Sequence, residues 1–101
     1  MDINIKNLQD QTIVELAGRL DTPAAQEASI ALAPVQDKAN GTIILDCKQL
    51  SYISSSGLRI FLTLRKAAMA KGGKVIVRSI NQDIRNVFMM TGFLNLFQIE
   101  D

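Results

Sequence analysis

A chain of 101 residues, 48% of them hydrophobic, is long enough for one domain with a buried core and too short for two. Its 11 basic and 10 acidic residues leave a net charge of +1, which argues against nucleic acid or an anionic membrane as a partner. Histidine is absent and Cys47 is the one cysteine, so there is no Ser-His-Asp or Cys-His pair and no His-based or thiolate zinc site. We therefore expect one domain over residues 1–101 that is not an enzyme and holds no metal or cofactor.

The same composition bears on the compartment. No apolar run approaches the roughly 18 residues of a membrane span, and the N-terminus lacks the basic-then-apolar order of a signal peptide. A single cysteine fits a reducing environment, and its place after an apolar run indicates that Cys47 is a packed side chain. We expect a cytoplasmic protein with no direct membrane insertion.

The chain opens with two predicted strands. Ile3 and Ile5 alternate with polar residues in the first strand, and Thr12–Leu16, which is rich in branched side chains, is predicted as the second. Asn7–Asp10 offers a turn between them, so the second strand is predicted to run antiparallel to the first.

A helix is predicted next. Gly18–Pro23 is expected to end the second strand and start this helix, with Asp21 or Thr22 as the N-cap. The helical segment is Ala24–Asp37, and Pro34 predicts that it ends or bends just before that residue.

The central stretch combines a strand, a serine cluster and a second helix. The turn Asn40–Gly41 leads into the apolar strand Ile43–Leu45. A polar loop is predicted over Leu50–Gly57, and the segment that follows has helical periodicity as far as Ala70. Its predicted buried arc consists of Leu58, Phe61, Leu62, Leu64 and Ala68.

The last third supplies a strand, a helix and a weak final strand. Gly72–Gly73 ends the serine-led helix, and Lys74–Arg78 reads as a strand. Asn81 is predicted to cap a third helix, which ends at Thr91–Gly92, and Leu96–Glu100 includes a short edge strand. Three methionines in the predicted helices are interpreted as packing residues and not as a binding surface, and they are Met69, Met89 and Met90.

This order of elements predicts an α/β fold. We expect a mostly parallel sheet of four to five strands, with an antiparallel N-terminal strand and the helices alongside. Loops at the carboxyl ends of parallel strands form the working edge of such a sheet. Gly18–Pro23 and Leu50–Gly57 both fall there, and the first carries an acid while the second carries hydroxyls.

These residues also carry a family resemblance. Asp46–Leu58, DCKQLSYISSSGL, resembles the signature D-x-x-x-[LV]-x-[FY]-[IM]-D-S-[ST]-G-[LI] of the STAS domain in its anti-sigma factor antagonist branch. Gly18–Asp21 matches the Gly-x-Leu-Asp turn of that family, and the predicted elements agree over essentially the whole chain. Ser54 stands where the family usually has aspartate.

The resemblance implies a binding protein controlled by phosphorylation. Such proteins bind a serine kinase that acts as an anti-sigma factor, the kinase inactivates them by phosphorylating one serine, and a serine phosphatase reverses this. That serine aligns with Ser55, with Ser56 as the alternative. The resemblance implies a monomer or weak dimer, whose partner-binding residues are Asp21, Ser54, Ser55, Ser56, Gly57 and Arg59.

Other interpretations stay open at this point. Ser54 or Ser55 is also suited to capping a helix, Asp21 equally so, and Arg59 is also typical of a solvated helix face. A stand-alone STAS subunit that regulates a membrane transport complex is the alternative function. An enzyme or nucleotide-binding protein ranks last, because the chain lacks a G-x-x-x-x-G-K-[ST] phosphate loop.

Overall fold

The computed structural model describes residues 1–101 as one α/β domain. The strands are β1 (Asp2–Asn7), β2 (Gln11–Leu20), β3 (Thr42–Ile53), β4 (Lys74–Arg78) and β5 (Gln98–Glu100). The helices are α1 (Thr22–Ala31), α2 (Ala33–Asp37), α3 (Ser55–Ala70) and α4 (Gln82–Thr91), and a short 3-10 turn covers Phe93–Asn95.

The five strands form one sheet in the order β1-β2-β3-β4-β5. β1 is antiparallel to β2, and every other neighbouring pair is parallel. The parallel strands require crossover connections, which the helices supply. The predicted fold class, including the antiparallel N-terminal strand and the weak last strand, is confirmed.

The helices bury one face of the sheet in a common core. Alternate residues of β3 and β4 point into it, while Ile44 and Ile76 lie on the other face outside the core cluster. Four phenylalanine rings join α3, α4 and the 3-10 turn at centroid distances of 5.6 to 6.3 Å, and they are Phe61, Phe88, Phe93 and Phe97. Three of the five ring pairs are edge-to-face, a geometry that adds about 0.5–1.5 kcal/mol per pair beyond the area buried. The rings therefore tie α3, α4 and the segment after α4 into one core.

β3 is much longer than the sequence predicted. It continues to Ile53, so the prediction of a polar loop from Leu50 was wrong for the first four residues of that segment. The register shifts twice along the β2–β3 pair, which marks two bulges in β3. At each bulge the spacing of buried residues rises from two to three, giving Cys47, Leu50 and Ile53. A sequence search for strict two-residue alternation therefore does not detect the full length of β3.

β2 is also longer than predicted, because it extends through Gly18 to Leu20. Gly18 has φ +100, a left-handed value that a side chain would make costly, and it pairs with Leu50 at the second bulge. The glycine lets the strand continue through an irregular position. The prediction that Gly18–Pro23 ends the strand was wrong for the first three of its residues.

Several local predictions are confirmed. Leu32 separates α1 from α2, as the predicted bend before Pro34 required. Asn81 caps α4 through its side-chain oxygen, and Gly92 ends that helix in the left-handed conformation.

The interpretation of the methionines as packing residues was wrong. Met69, Met89 and Met90 have 61%, 59% and 80% of their surface exposed. All three lie in the last turns of α3 and α4, on sides of those turns that face away from the core.

Candidate functional site

The carboxyl ends of β2 and β3 bring two predicted site residues together. Leu20 and Ile53 form the last pair of these parallel strands, so Asp21 and Ser54 follow at the same level of the sheet. The backbone N–H of Ser54 donates to the carbonyl of Leu20 at 2.9 Å, which extends the contact past the end of the ladder. We call this edge the helix-start rim, and its residues are Asp21, Ser54, Ser55, Ser56 and Arg59.

Asp21 and Ser54 have the same local task. The Asp21 carboxylate accepts the N–H of Ala24 at 3.0 Å, and the Ser54 hydroxyl oxygen accepts the N–H of Gly57 at 3.1 Å. Each is the N-cap of the helix that follows it, and each has the extended backbone typical of that position. The cap interpretation is confirmed for both residues, and Thr22 is the first residue of α1.

Ser55 and Ser56 begin α3 and have no capping task. The side chain of Ser55 is exposed and that of Ser56 is half-buried, and neither hydroxyl is hydrogen-bonded within the chain. Their backbone N–H groups precede the first intrahelical bond of α3, which Leu58 donates to Ser54. Free N–H groups at a helix start favour negative charge. Ser55 is therefore the accessible hydroxyl at an end of α3 that tolerates an anion.

Gly57 lies beneath the rim. A Cβ at this position would come within 2.8 Å of Leu20 Cγ and 2.9 Å of Ile53 Cγ1. The absence of a side chain thus lets the first turn of α3 rest directly on the last pair of β2 and β3. Gly57 is buried, so it contributes to the rim indirectly. Its close packing on Leu20 and Ile53 determines how far the first turn of α3, which carries the serines, stands from the sheet.

Arg59 is exposed one helical turn after Ser55. It belongs to none of the three ion pairs in the structure. Its side chain borders an open cleft between α1 and α3, whose other lining residues include Thr22, Gln26, Ser29, Ser56 and Thr63. Ala25 and Ile60 form an apolar part of the cleft, hydroxyl groups and the Gln26 amide form its polar part, and Arg59 provides its only charge.

Two features of this edge were missed from the sequence. The Arg19 guanidinium carbon lies 4.2 Å from the Tyr52 ring centroid, a cation–π contact between paired residues of β2 and β3. Asn81, besides capping α4, donates its side-chain N–H to the Leu50 carbonyl at 3.2 Å. Arg19 lies two residues before the cap Asp21, and Tyr52 lies two residues before the cap Ser54. Because the two strands are parallel, this equal spacing could have been used to predict the Arg19–Tyr52 contact from the sequence.

Cys47 lies inside the central strand β3 with its side chain in the core, and its S–H donates to the Leu45 carbonyl at 3.6 Å. Burial, with a smaller effect from the Asp46 carboxylate, raises the pKa of the thiol to about 12. The prediction that Cys47 is a packed side chain is confirmed. No three potential metal ligands lie close together, and none of the helices has the length and hydropathy needed to cross a membrane.

Comparison with known families agrees with this geometry. Residues 2–101 match the STAS domain family, so the chain belongs to the STAS domain family. BtrV of Bordetella bronchiseptica, named as a candidate anti-sigma factor antagonist, is 29% identical over 99 residues, which cover 98% of this chain and 85% of BtrV. The anti-sigma F factor antagonist of Paenibacillus polymyxa is 26% identical over 102 residues, covering 100% of this chain and 87% of that protein.

A solved structure extends the comparison to the fold. The Bacillus cell fate determinant SpoIIAA, in its phosphorylated form, superimposes with a TM-score of 0.77 at 22% identity. The match covers 99% of this chain and 91% of that one. The likeness establishes the fold that the chain shares with a phosphorylated protein.

Proposed function

We propose that this chain is an anti-sigma factor antagonist that binds a serine-kinase anti-sigma factor and is switched off by phosphorylation of Ser55. The observation that supports this proposal most is that Ser54 and Ser55 have different roles at the start of α3. Ser54 is occupied as the cap of α3, whereas Ser55 presents a free hydroxyl at the same helix end. The names of the relatives support the class of function.

The electrostatics of the α3 start favour Ser55 as the acceptor. A phosphoserine carries about −1.5 to −2 charges at neutral pH. At Ser55 it would meet the positive end of the α3 dipole, free backbone N–H groups, and Arg59 one turn away. The folded state should therefore tolerate the modification, and a fold shared with phosphorylated SpoIIAA is consistent with this.

The cost of the phosphate would fall on the complex. A dianion inserted into a matched interface needs to cost only about 3 kcal/mol to weaken binding about a hundredfold. The proposed partner contacts are Asp21, Ser56 and Arg59, which lie on the same helix-start rim as Ser55. A serine phosphatase would restore the binding form.

The serine at position 54 is compatible with this role. Ser and Asp are about equally good N-caps, so the replacement of the usual acid leaves the start of α3 intact. It also removes a negative charge that would have repelled a phosphate at Ser55. The departure from the family pattern therefore changes the charge next to the switch and preserves its geometry.

Phosphate mapping tests the proposal. The purified chain is incubated with its serine-kinase anti-sigma factor and ATP, and the modified residue is located by peptide mass spectrometry. We expect one phosphate, on Ser55, and none in Ser55→Ala. Phosphate placed consistently on Ser54 or Ser56 would refute the assignment of Ser55. A stable complex with a membrane transport protein, without phosphorylation by any kinase, would support the transport alternative.

A further inference from the structure

The charges of this chain are segregated although they nearly cancel overall. Seven of the 11 basic residues lie between Lys48 and Arg78, and no acidic residue lies between Asp46 and Asp83. The whole of α3 falls inside this segment. A protein with a net charge of +1 therefore carries one helix whose ionisable side chains are all basic.

The solvent face of α3 forms a stripe that starts at the proposed switch. Ser55, Arg59, Thr63 and Lys66 recur at intervals of three or four residues, and all four are exposed. We call these four residues the α3 stripe. Lys71, directly after the helix, continues the positive charge past its end.

The charge of the stripe is not neutralised within the chain. The three ion pairs all lie outside α3, and they join Lys6 to Glu15, Arg78 to Glu100 and Arg85 to Asp101. Lys71 donates to the backbone carbonyl of Asp37 at 2.6 Å, a contact with no carboxylate. Arg59 and Lys66 are thus free to interact with charge on another molecule.

From this we infer that the α3 stripe docks on an acidic surface of the serine-kinase partner, an inference that rests on the proposed function. Facing charges of opposite sign accelerate association and orient the encounter. A phosphate on Ser55 stands at one end of the stripe, where it offsets the charge of Arg59 and repels an acidic partner. The α3 stripe would then attract the kinase while Ser55 is unmodified and attract it less once Ser55 is phosphorylated.

A matched pair of charge reversals tests the inference. Lys66→Glu reverses a charge on the stripe, while Lys48→Glu makes the same change among Asp2, Glu15 and Asp46, at the sheet face away from the core. We expect Lys66→Glu to lower the association rate constant with the kinase about tenfold, and Lys48→Glu to change it less than about twofold. Lys66→Gln, which only removes the charge, should give an intermediate rate.

Salt provides a second measurement. Raising the ionic strength from about 0.1 M to about 1 M shortens the Debye length from about 10 Å to about 3 Å. The difference between Lys66→Glu and the parent should therefore shrink toward zero, and the parent and both Lys66 variants should have similar melting temperatures.

The outcomes separate this inference from the proposed function. Equal association rates for the parent and Lys66→Glu at low salt, with Ser55 still phosphorylated by the kinase, would overturn the docking role and leave the proposed function intact. Failure of the parent chain to bind or be phosphorylated by the kinase would overturn both. Binding of short RNA or of phosphatidylserine vesicles at physiological salt, abolished by Lys66→Glu, would assign the stripe to those ligands and overturn the protein-docking role.

Discussion

Asp21 and Ser54 are 33 positions apart in the chain, yet they stand side by side as the caps of neighbouring helices. The pairing of Leu20 with Ile53 fixes this arrangement, because each cap is the next residue after a member of the last strand pair. The two helix starts therefore share one edge, and a partner that contacts one of them meets the other.

The first prediction concerns Asp21, whose role as a helix cap can be tested separately from its proposed role in partner binding. Asp21→Ala removes the acceptor for Ala24 N–H and should cost about 1 kcal/mol of unfolding free energy. Asp21→Asn keeps an acceptor and should be nearly as stable as the parent, while losing the charge. If Asp21 contacts the kinase, both variants bind more weakly by calorimetry. Full affinity in Asp21→Asn would remove the charge of Asp21 from the site.

Ser54 should be exchangeable with aspartate at the level of folding. Either side chain can accept the Gly57 N–H, so Ser54→Asp should unfold within about 0.5 kcal/mol of the parent in a urea titration. Ser54→Ala lacks the acceptor and should lose about 1 kcal/mol. A Ser54→Asp variant as unstable as Ser54→Ala would show that the cap geometry accepts only a hydroxyl.

The charge of Ser55 should control binding without controlling stability. Ser55→Asp places a negative group where the phosphate would stand and should weaken kinase binding, to a smaller extent than the phosphate because it carries less charge. Ser55→Ala should bind like the parent and resist inactivation by the kinase. Both should melt near the parent temperature, because Ser55 makes no side-chain hydrogen bond in the chain. Equal affinities of the two variants by calorimetry would exclude charge at Ser55 as the control.

Sequence patterns predicted the order of the elements and most of the caps, because those depend on local chemistry. Asn81 and the Lys74–Arg78 strand are examples in which a short segment contains its own signal. The ends of β2 and β3 could not be predicted this way, since their bulges break the two-residue alternation and exist only through pairing between distant strands.

The proposed site rests on a similar mixture of signals. Motif spacing singled out Ser55 and its neighbours as candidates, and the rule that strand ends meet at one edge of a parallel sheet predicted that Asp21 lies at the same edge, which the Leu20–Ile53 pairing confirms. The different roles of Ser54 and Ser55 could not be told apart from the sequence, because both residues have the chemistry of a cap and only the fold decides which hydroxyl meets the Gly57 N–H. Whole-chain charge balance likewise concealed the basic face of α3, which is a local property.

Gly57 should be required for the seating of α3. In Gly57→Ala the new methyl group meets Leu20 Cγ and Ile53 Cγ1, and overpacking of this kind costs about 1–3 kcal/mol. Alanine is favoured over glycine in helices by up to about 1 kcal/mol, which offsets part of this cost. We therefore expect Gly57→Ala to lower the free energy of unfolding by an amount near the lower end of that range. Ser56→Ala, one residue earlier, should be almost neutral and serves as the control.

In the Gly57→Ala background, Leu20→Ala should cost less than it does alone, because it removes the clash. Additive losses would place the strain elsewhere.

Cys47 predicts how stability depends on alkaline pH. Its pKa is raised from 9.0 to about 12 in the folded chain, mainly by burial, so the folded state holds the thiol proton after the unfolded state has released it. Its contribution is therefore complete below about pH 9 and is lost as the pH rises toward about 12, by up to about 1.4 kcal/mol per pH unit. Cys47→Ala lacks this dependence, while its loss of packing is independent of pH. Urea titrations of both proteins from about pH 8 to about pH 11 should show their free energies of unfolding converging above about pH 9. Parallel curves across that range would mean that the thiol ionises as readily in the folded chain as in the unfolded one.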